Sequence, residues 1–97
     1  MKSWSFETEL WEWEGKAAWY FVTLPFDVAD EIEDLTAGRT TGFGSVRVEV
    51  TCGSSTWQTS VFPDKKRESF ILPIKKSVRS TEKLSAGALA QISIKLL

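Results

Sequence analysis

Apolar and polar side chains alternate along six short stretches of the chain, and two stretches of helical spacing interrupt them. Residues 3–13 open the pattern, with Trp4, Phe6, Thr8 and Leu10 on one face and Ser5, Glu7 and Glu9 on the other. Period-two alternation of this kind marks a half-buried strand. The parity changes at Leu10-Trp11, because Trp11 and Trp13 occupy odd positions; a bulge or a strand passing between two faces accounts for that. Glu14-Gly15-Lys16 then turns the chain into a second, aromatic-rich strand over residues 17–24, which completes a hairpin. Residues 45–52 form the clearest strand, with Val46, Val48, Val50 and Cys52 facing one way. A turn at Gly53-Ser54-Ser55 leads to a strand over 56–62, where Trp57, Thr59 and Val61 alternate with Gln58, Ser60 and Phe62. After the charged turn Pro63-Asp64-Lys65-Lys66-Arg67 come a strand over 68–72 and, at the end, an inward face of Ile92, Ile94 and Leu96.

The helical spacings follow the two Leu-Pro steps. After Leu24-Pro25, Val28, Ile32 and Leu35 lie at i, i+4 and i+7, one apolar stripe. Asp27 is placed to cap that helix by accepting from the amide of Asp30, and Gly38 to stop it. A loop over residues 39–44 follows. After Leu72-Pro73, a second helix is expected over residues 74–84, burying Ile74, Val78 and Leu84. Leu24-Pro25 and Leu72-Pro73 are 48 residues apart, and Leu35-Thr36-Ala37-Gly38 and Leu84-Ser85-Ala86-Gly87 are 49 apart. Each half reads strand, strand, helix, strand. The expected fold is mainly β, a six-stranded pseudo-duplicated barrel with two short helices covering it, and closure would leave no exposed strand edge.

Ninety-seven residues make a single domain, 1–97, with room for one core. The longest apolar run, residues 17–22, is far below the roughly 20 residues of a membrane helix. No signal-peptide core precedes the first strand, so a cytoplasmic protein without membrane contact is expected. Cys52 is the one cysteine and sits on apolar parity, the place of a small buried hydrophobe. Histidine is absent altogether. That removes imidazole bases, Ser-His and Cys-His nucleophile pairs and His-ligated metals. Carboxylate, lysine or metal–carboxylate chemistry is what remains.

Net charge is −1, but the charge is divided. Residues 1–38 hold nine acids and two bases, −7; residues 39–97 hold four acids and ten bases, +6. The two halves complement each other within one fold or across a dimer, or the basic half offers a face to a polyanion.

Three ordered segments carry a resemblance. Gly42-Phe43-Gly44-Ser45-Val46-Arg47-Val48, Trp57-Gln58-Thr59-Ser60-Val61-Phe62-Pro63 and Leu72-Pro73-Ile74-Lys75-Lys76-Ser77-Val78-Arg79 resemble the bacterial domain-of-unknown-function family 1905. Phe6-Glu7-Thr8-Glu9-Leu10-Trp11 and Ala18-Trp19-Tyr20-Phe21-Val22-Thr23-Leu24-Pro25 resemble its opening hairpin. The chain departs from the family pattern at Gly87-Ala88, where Gly-Asp is usual, and near Arg67-Glu68, where a glycine is common. The resemblance implies the double-split β-barrel fold, which swapped-hairpin transcription factors and some antitoxins also use. It implies no activity.

The strongest local chemical signal is the start of the second helix. Lys75 and Lys76 stand in its first turn, where the helix dipole disfavours cations, and Arg79 shares a face with Lys75. Free helix amides with Lys75, Lys76 and Arg79 would make a site for a phosphate or carboxylate, unless the three pair with the acidic first helix. Lys65, Lys66 and Arg67, with Trp57 or Phe62 as a stacking surface, could widen it into a nucleic-acid groove, but a pI of about 5.4 argues against that. Gly42-Phe43-Gly44 lacks the spacing of a dinucleotide-binding loop. Trp11, Trp13, Trp19 and Tyr20 could line an apolar pocket, or simply fill the barrel. Glu12 and Glu14 could share a metal on one strand face, yet acids alternating with Trp are ordinary amphipathic patterning. The expectation is a non-enzymatic binding or interaction module with no catalytic residue, metal or cofactor, whose partner is an anionic ligand or a protein. A nucleic-acid-associated or antitoxin-like regulator is the alternative by analogy of fold.

Overall fold

Alternating β-branched and aromatic residues pair into six strands in the computed structural model, which describes residues 2–15, 18–37 and 44–97. The strands are β1 Ser3–Glu12, β2 Tyr20–Thr23, β3 Val46–Cys52, β4 Ser55–Asp64, β5 Ser69–Pro73 and β6 Leu89–Leu96. Helix α1, Phe26–Thr36, follows β2, and α2, Lys76–Thr81, follows β5. The strands close into an antiparallel barrel in the order β1-β2-β5-β4-β3-β6. Each strand has two neighbours in the ring, so none is a free edge along its whole length.

Two long strands change partner partway along. Strand β1 pairs with β6 through Ser3–Glu9 and with β2 through Leu10–Glu12. Strand β4 pairs with β3 through Val46↔Val61 to Cys52↔Ser55, and with β5 through Phe62↔Ile71 to Asp64↔Ser69. The parity change at Leu10-Trp11 is therefore the handover between neighbours. Leu10 stays inward and fully buried, while the outward Trp11 is half covered by Phe21, its cross-strand partner, with ring centroids 5.1 Å apart.

The inward faces make one core. Leu10, Val22, Val48, Val50, Val61, Leu72 and Ile92 are wholly excluded from solvent. Burial of each such side chain contributes roughly 1.5–3 kcal/mol. Cys52 is buried in this core, and desolvation pushes its thiol pKa up, so it packs as the expected small hydrophobe.

Helix α1 enters without a side-chain cap. Pro25 holds the cap position in extended geometry, and the Ala29 amide donates to its carbonyl at 2.9 Å. Asp27 is displaced from its expected capping role because the helix begins two residues earlier than that cap implies, at Phe26; it supplies first-turn negative charge instead. The buried face is Val28, Ala29, Ile32 and Thr36, leaving Leu35 at its margin, 44% exposed. The expected stop at Gly38 and the loop over 39–43 lie outside the described residues.

Helix α2 has six residues, well short of the expected 74–84. Ile74 precedes it as buried extended chain, its amide donating to the Tyr20 carbonyl at 2.9 Å. The helix stops when Lys83 turns left-handed, at φ 56. Lys83 then donates back to Ser80 and Leu84 back to Arg79, a closure usually built on glycine. Gly87, at φ 91, makes only the later turn into β6.

The duplication is real in the topology, but its register differs from the Leu-Pro echo. Exchanging β1, β2, β3 for β4, β5, β6 maps the ring order onto itself. The helices start at residues 26 and 76, and Val22 pairs with Leu72, both separations being fifty. Leu24-Pro25 therefore corresponds to Ile74-Lys75. Pro73 is the last residue of β5, where it needs no ladder donor, and Pro25 is a helix cap. The two prolines do different jobs, so their 48-residue spacing misses the structural equivalence by two.

Candidate functional site

Where β5 hands over to α2, a crevice of about 440 Å³ opens between the start of the helix, the start of β2 and the middle of β4. Lys75, Lys76 and Arg79 line it together with Trp19, Tyr20 and Trp57. The three cations marked in the sequence are thus brought to one place. Lys75, in extended geometry at the helix cap, carries its ammonium 5.9 Å from the Trp57 ring centroid. The Arg79 guanidinium lies 4.0 Å from the Tyr20 ring centroid, and its Nη1 donates to the Ile74 carbonyl at 2.7 Å. That hydrogen bond and the stacking fix Arg79, while Lys75 and Lys76 are exposed.

Among the described residues, none of the three cations forms an ion pair. Of the acids on the first helix, Glu31 is engaged elsewhere, meeting Lys2 at 3.3 Å and accepting from the Trp4 indole at 3.0 Å. Those contacts, led by the Trp4 hydrogen bond, hold the Glu31 carboxyl below its usual pKa. The expected contribution of helix amides is a different matter. In so short a helix, the amides of Val78 and Arg79 bond back to the Lys75 carbonyl. The side chains, and not a helix terminus, define this crevice.

A second crevice, of about 350 Å³, shares part of its lining with the first across the duplication. Fifty residues separate Ala18-Trp19-Tyr20 in the first from Glu68-Ser69-Phe70 in the second, and Arg79 from Ala29. Asp30, Glu33, Asp64 and Glu68 line it against the single base Lys65. The two crevices thus share one wall at equivalent positions and are lined by opposite charge. Among the described residues, no group of three or more acids and cysteines is arranged to hold a metal ion.

The other sequence signals separate in space. Lys65, Lys66 and Arg67 stand at the start of β5 and the cation crevice at its end, roughly 13 Å of strand apart. Arg67 is committed, to Asp64 at 2.9 Å and to the Trp11 ring at 3.8 Å, and Asp64 also accepts from the Lys66 amide. Phe62 points outward from β4, so no continuous groove links these residues to Lys75. Trp11 and Trp13, with Glu12 and Glu14, border a different depression beside Arg67, apart from Trp19 and Tyr20. Gly42 and Phe43 lie outside the described residues; Gly44 is left-handed, at φ 85.

Sequence reasoning did not foresee Glu82. Its carboxylate accepts from Ser55 at 2.8 Å and Ser54 at 3.0 Å, tying the end of α2 to the β3–β4 turn. The Ser55 hydrogen bond, with help from Ser54, lowers its pKa. No local pattern announces a contact between residues 27 or more apart. The stacking of Arg79 on Tyr20 is hidden for the same reason.

No helix among the described residues is long and apolar enough to cross a membrane. No curated protein matches the chain. The sequence model of the family described as Domain of unknown function (DUF1905) matches residues 6–94, nearly the whole chain and all six strands but for the ends of β1 and β6. The chain belongs to that family.

Proposed function

We propose that this protein is a non-enzymatic binding module that captures an anionic group, phosphate or carboxylate, with Lys75, Lys76 and Arg79. One observation carries the reading: three cations without an acidic partner among the described residues border a single crevice. Unpaired cations on concave, partly apolar surface are the arrangement from which charge-assisted recognition is built. Arg79 serves as the fixed element, held by Ile74 and Tyr20, and the two exposed lysines close on the ligand. A bacterial, cytoplasmic setting belongs to the same proposal, resting on the resemblance seen in the sequence and on a lone buried thiol, Cys52.

The test is a titration with inorganic phosphate followed through the backbone amide resonances of residues 74–79. Shifts that saturate at millimolar phosphate, and that disappear in K75A/K76A, support the reading. Unmoved resonances at tens of millimolar would end it. Binding should also weaken as salt is added, because the attraction is between charges.

A further inference from the structure

Resting on the reading of this crevice as an anion site, we infer that its ligand carries the anionic group on a flat aromatic ring. The two halves of the lining point to two parts of one molecule. Lys75 and Lys76 are exposed and without hydrogen-bonded partners among the described residues, so they are free to take charge. The walls beside them are aromatic: Trp57 is half buried in β4, and Tyr20 at the start of β2 is stacked against Arg79. Trp19 completes the rim and is itself stacked on Phe21, with 13° between the ring planes.

Arg79 is the piece that favours a ring over a bare anion. A guanidinium held by a carbonyl at 2.7 Å and placed over a tyrosine ring at 4.0 Å is fixed in position, with fewer donors left for an oxyanion. Arginine in that state stacks on π-systems. A free phosphate would use the lysines and leave these planes idle. The crevice, about 440 Å³, also falls within the range of small-molecule pockets and is larger than a single phosphate needs. Gln58 and Thr59, which line it too, form no side-chain hydrogen bond among the described residues and can orient polar substituents on the ring.

The experiment compares phenyl phosphate, inorganic phosphate and phenol by calorimetry on the intact chain, and then adenosine monophosphate against ribose 5-phosphate. Stacking on an aromatic wall is worth roughly a factor of ten or more in affinity, so phenyl phosphate should bind at least about tenfold tighter than inorganic phosphate. W57L should remove that advantage, bringing the ratio of phenyl phosphate to phosphate affinity close to one, whereas K75A/K76A should weaken both. Equal affinities for phenyl phosphate and phosphate would overturn the ring while sparing the anion site. Phenol binding as tightly as phenyl phosphate, or no binding by either phosphate, would overturn both readings. Because the wild-type ratio needs no variant, a misfolded W57L leaves the test intact. A preference for adenosine monophosphate over phenyl phosphate would assign the ring as a nucleobase, and the reverse as a carbocycle.

Discussion

The two crevices share one wall at equivalent positions of a duplicated fold and differ in almost everything chemical. Both lie between the start of a β2-type strand and the helix that follows the second strand of each half. In one, Ala29 and a set of carboxylates face Ser69 and Phe70; in the other, Arg79 and two lysines face Trp19 and Tyr20. The core beneath them is shared, since Val22 and Leu72 pair across the pseudo-twofold and are both fully buried. The lesson is that packing preserves a symmetry that the surface is free to abandon. Inward positions must fill the same volume in each half, whereas a charge facing water costs little whichever sign it has.

The comparison yields predictions of decreasing size. If the halves are equivalent in the core, Leu24→Ala and Ile74→Ala should cost about the same, each in the range of roughly 2–5 kcal/mol. Both side chains are essentially excluded from water, at 2% and 1% exposure. Urea denaturation measures the two directly, and a cost below about 1 kcal/mol for either would break the equivalence across the fifty-residue register.

A smaller effect separates the halves. Glu68 and Lys83, both in the second half, are the left-handed non-glycine residues of the described chain, at φ 55 and 56. A left-handed residue with a side chain carries a strain that glycine lacks, so Glu68→Gly and Lys83→Gly should each stabilise by about 0.5–1 kcal/mol. A loss of melting temperature in both variants would contradict this account of the two turns.

The smallest effect is a pH dependence at Glu82, in the second half. Glu82 has its pKa lowered by Ser55 and Ser54, so its contribution to stability is present above the ordinary carboxylate pKa. That contribution is lost as pH falls through the depressed folded-state pKa. The melting-temperature gap between wild type and E82Q should hold from neutral pH to about pH 5 and narrow below it. A gap unchanged down to about pH 3 would mean that the carboxylate form is not what ties α2 to the β3–β4 turn.

Much of this was legible in the residues alone. Alternation at Val46–Cys52 and at Trp4–Leu10 marks strands because only one face of each meets the core, and the structure buries those faces. Lys75, Lys76 and Arg79 were legible as a cluster because they are neighbours on a short segment. Other features were not. The second helix was overestimated because Ile74 and Leu84 continue its apolar spacing, yet Ile74 is buried as extended chain and Lys83 ends the helix through backbone geometry. Asp27 had the chemistry of a cap, but Pro25 had the position.

Period-two and helical spacings are local properties, so the sequence by itself determined that there are six strands and two helices, which faces are apolar, that imidazole chemistry is excluded and that charge divides between the halves. Ring closure, the fifty-residue register and the partner change within β1 and β4 depend on contacts between distant segments, and only the tertiary structure decided them. It also decided that Lys75, Lys76 and Arg79 meet Trp57 and Tyr20 while Arg67 meets Trp11. Which aromatic ring a cation reaches depends on how strands from opposite ends of the chain are laid side by side, and no spacing along one strand records that.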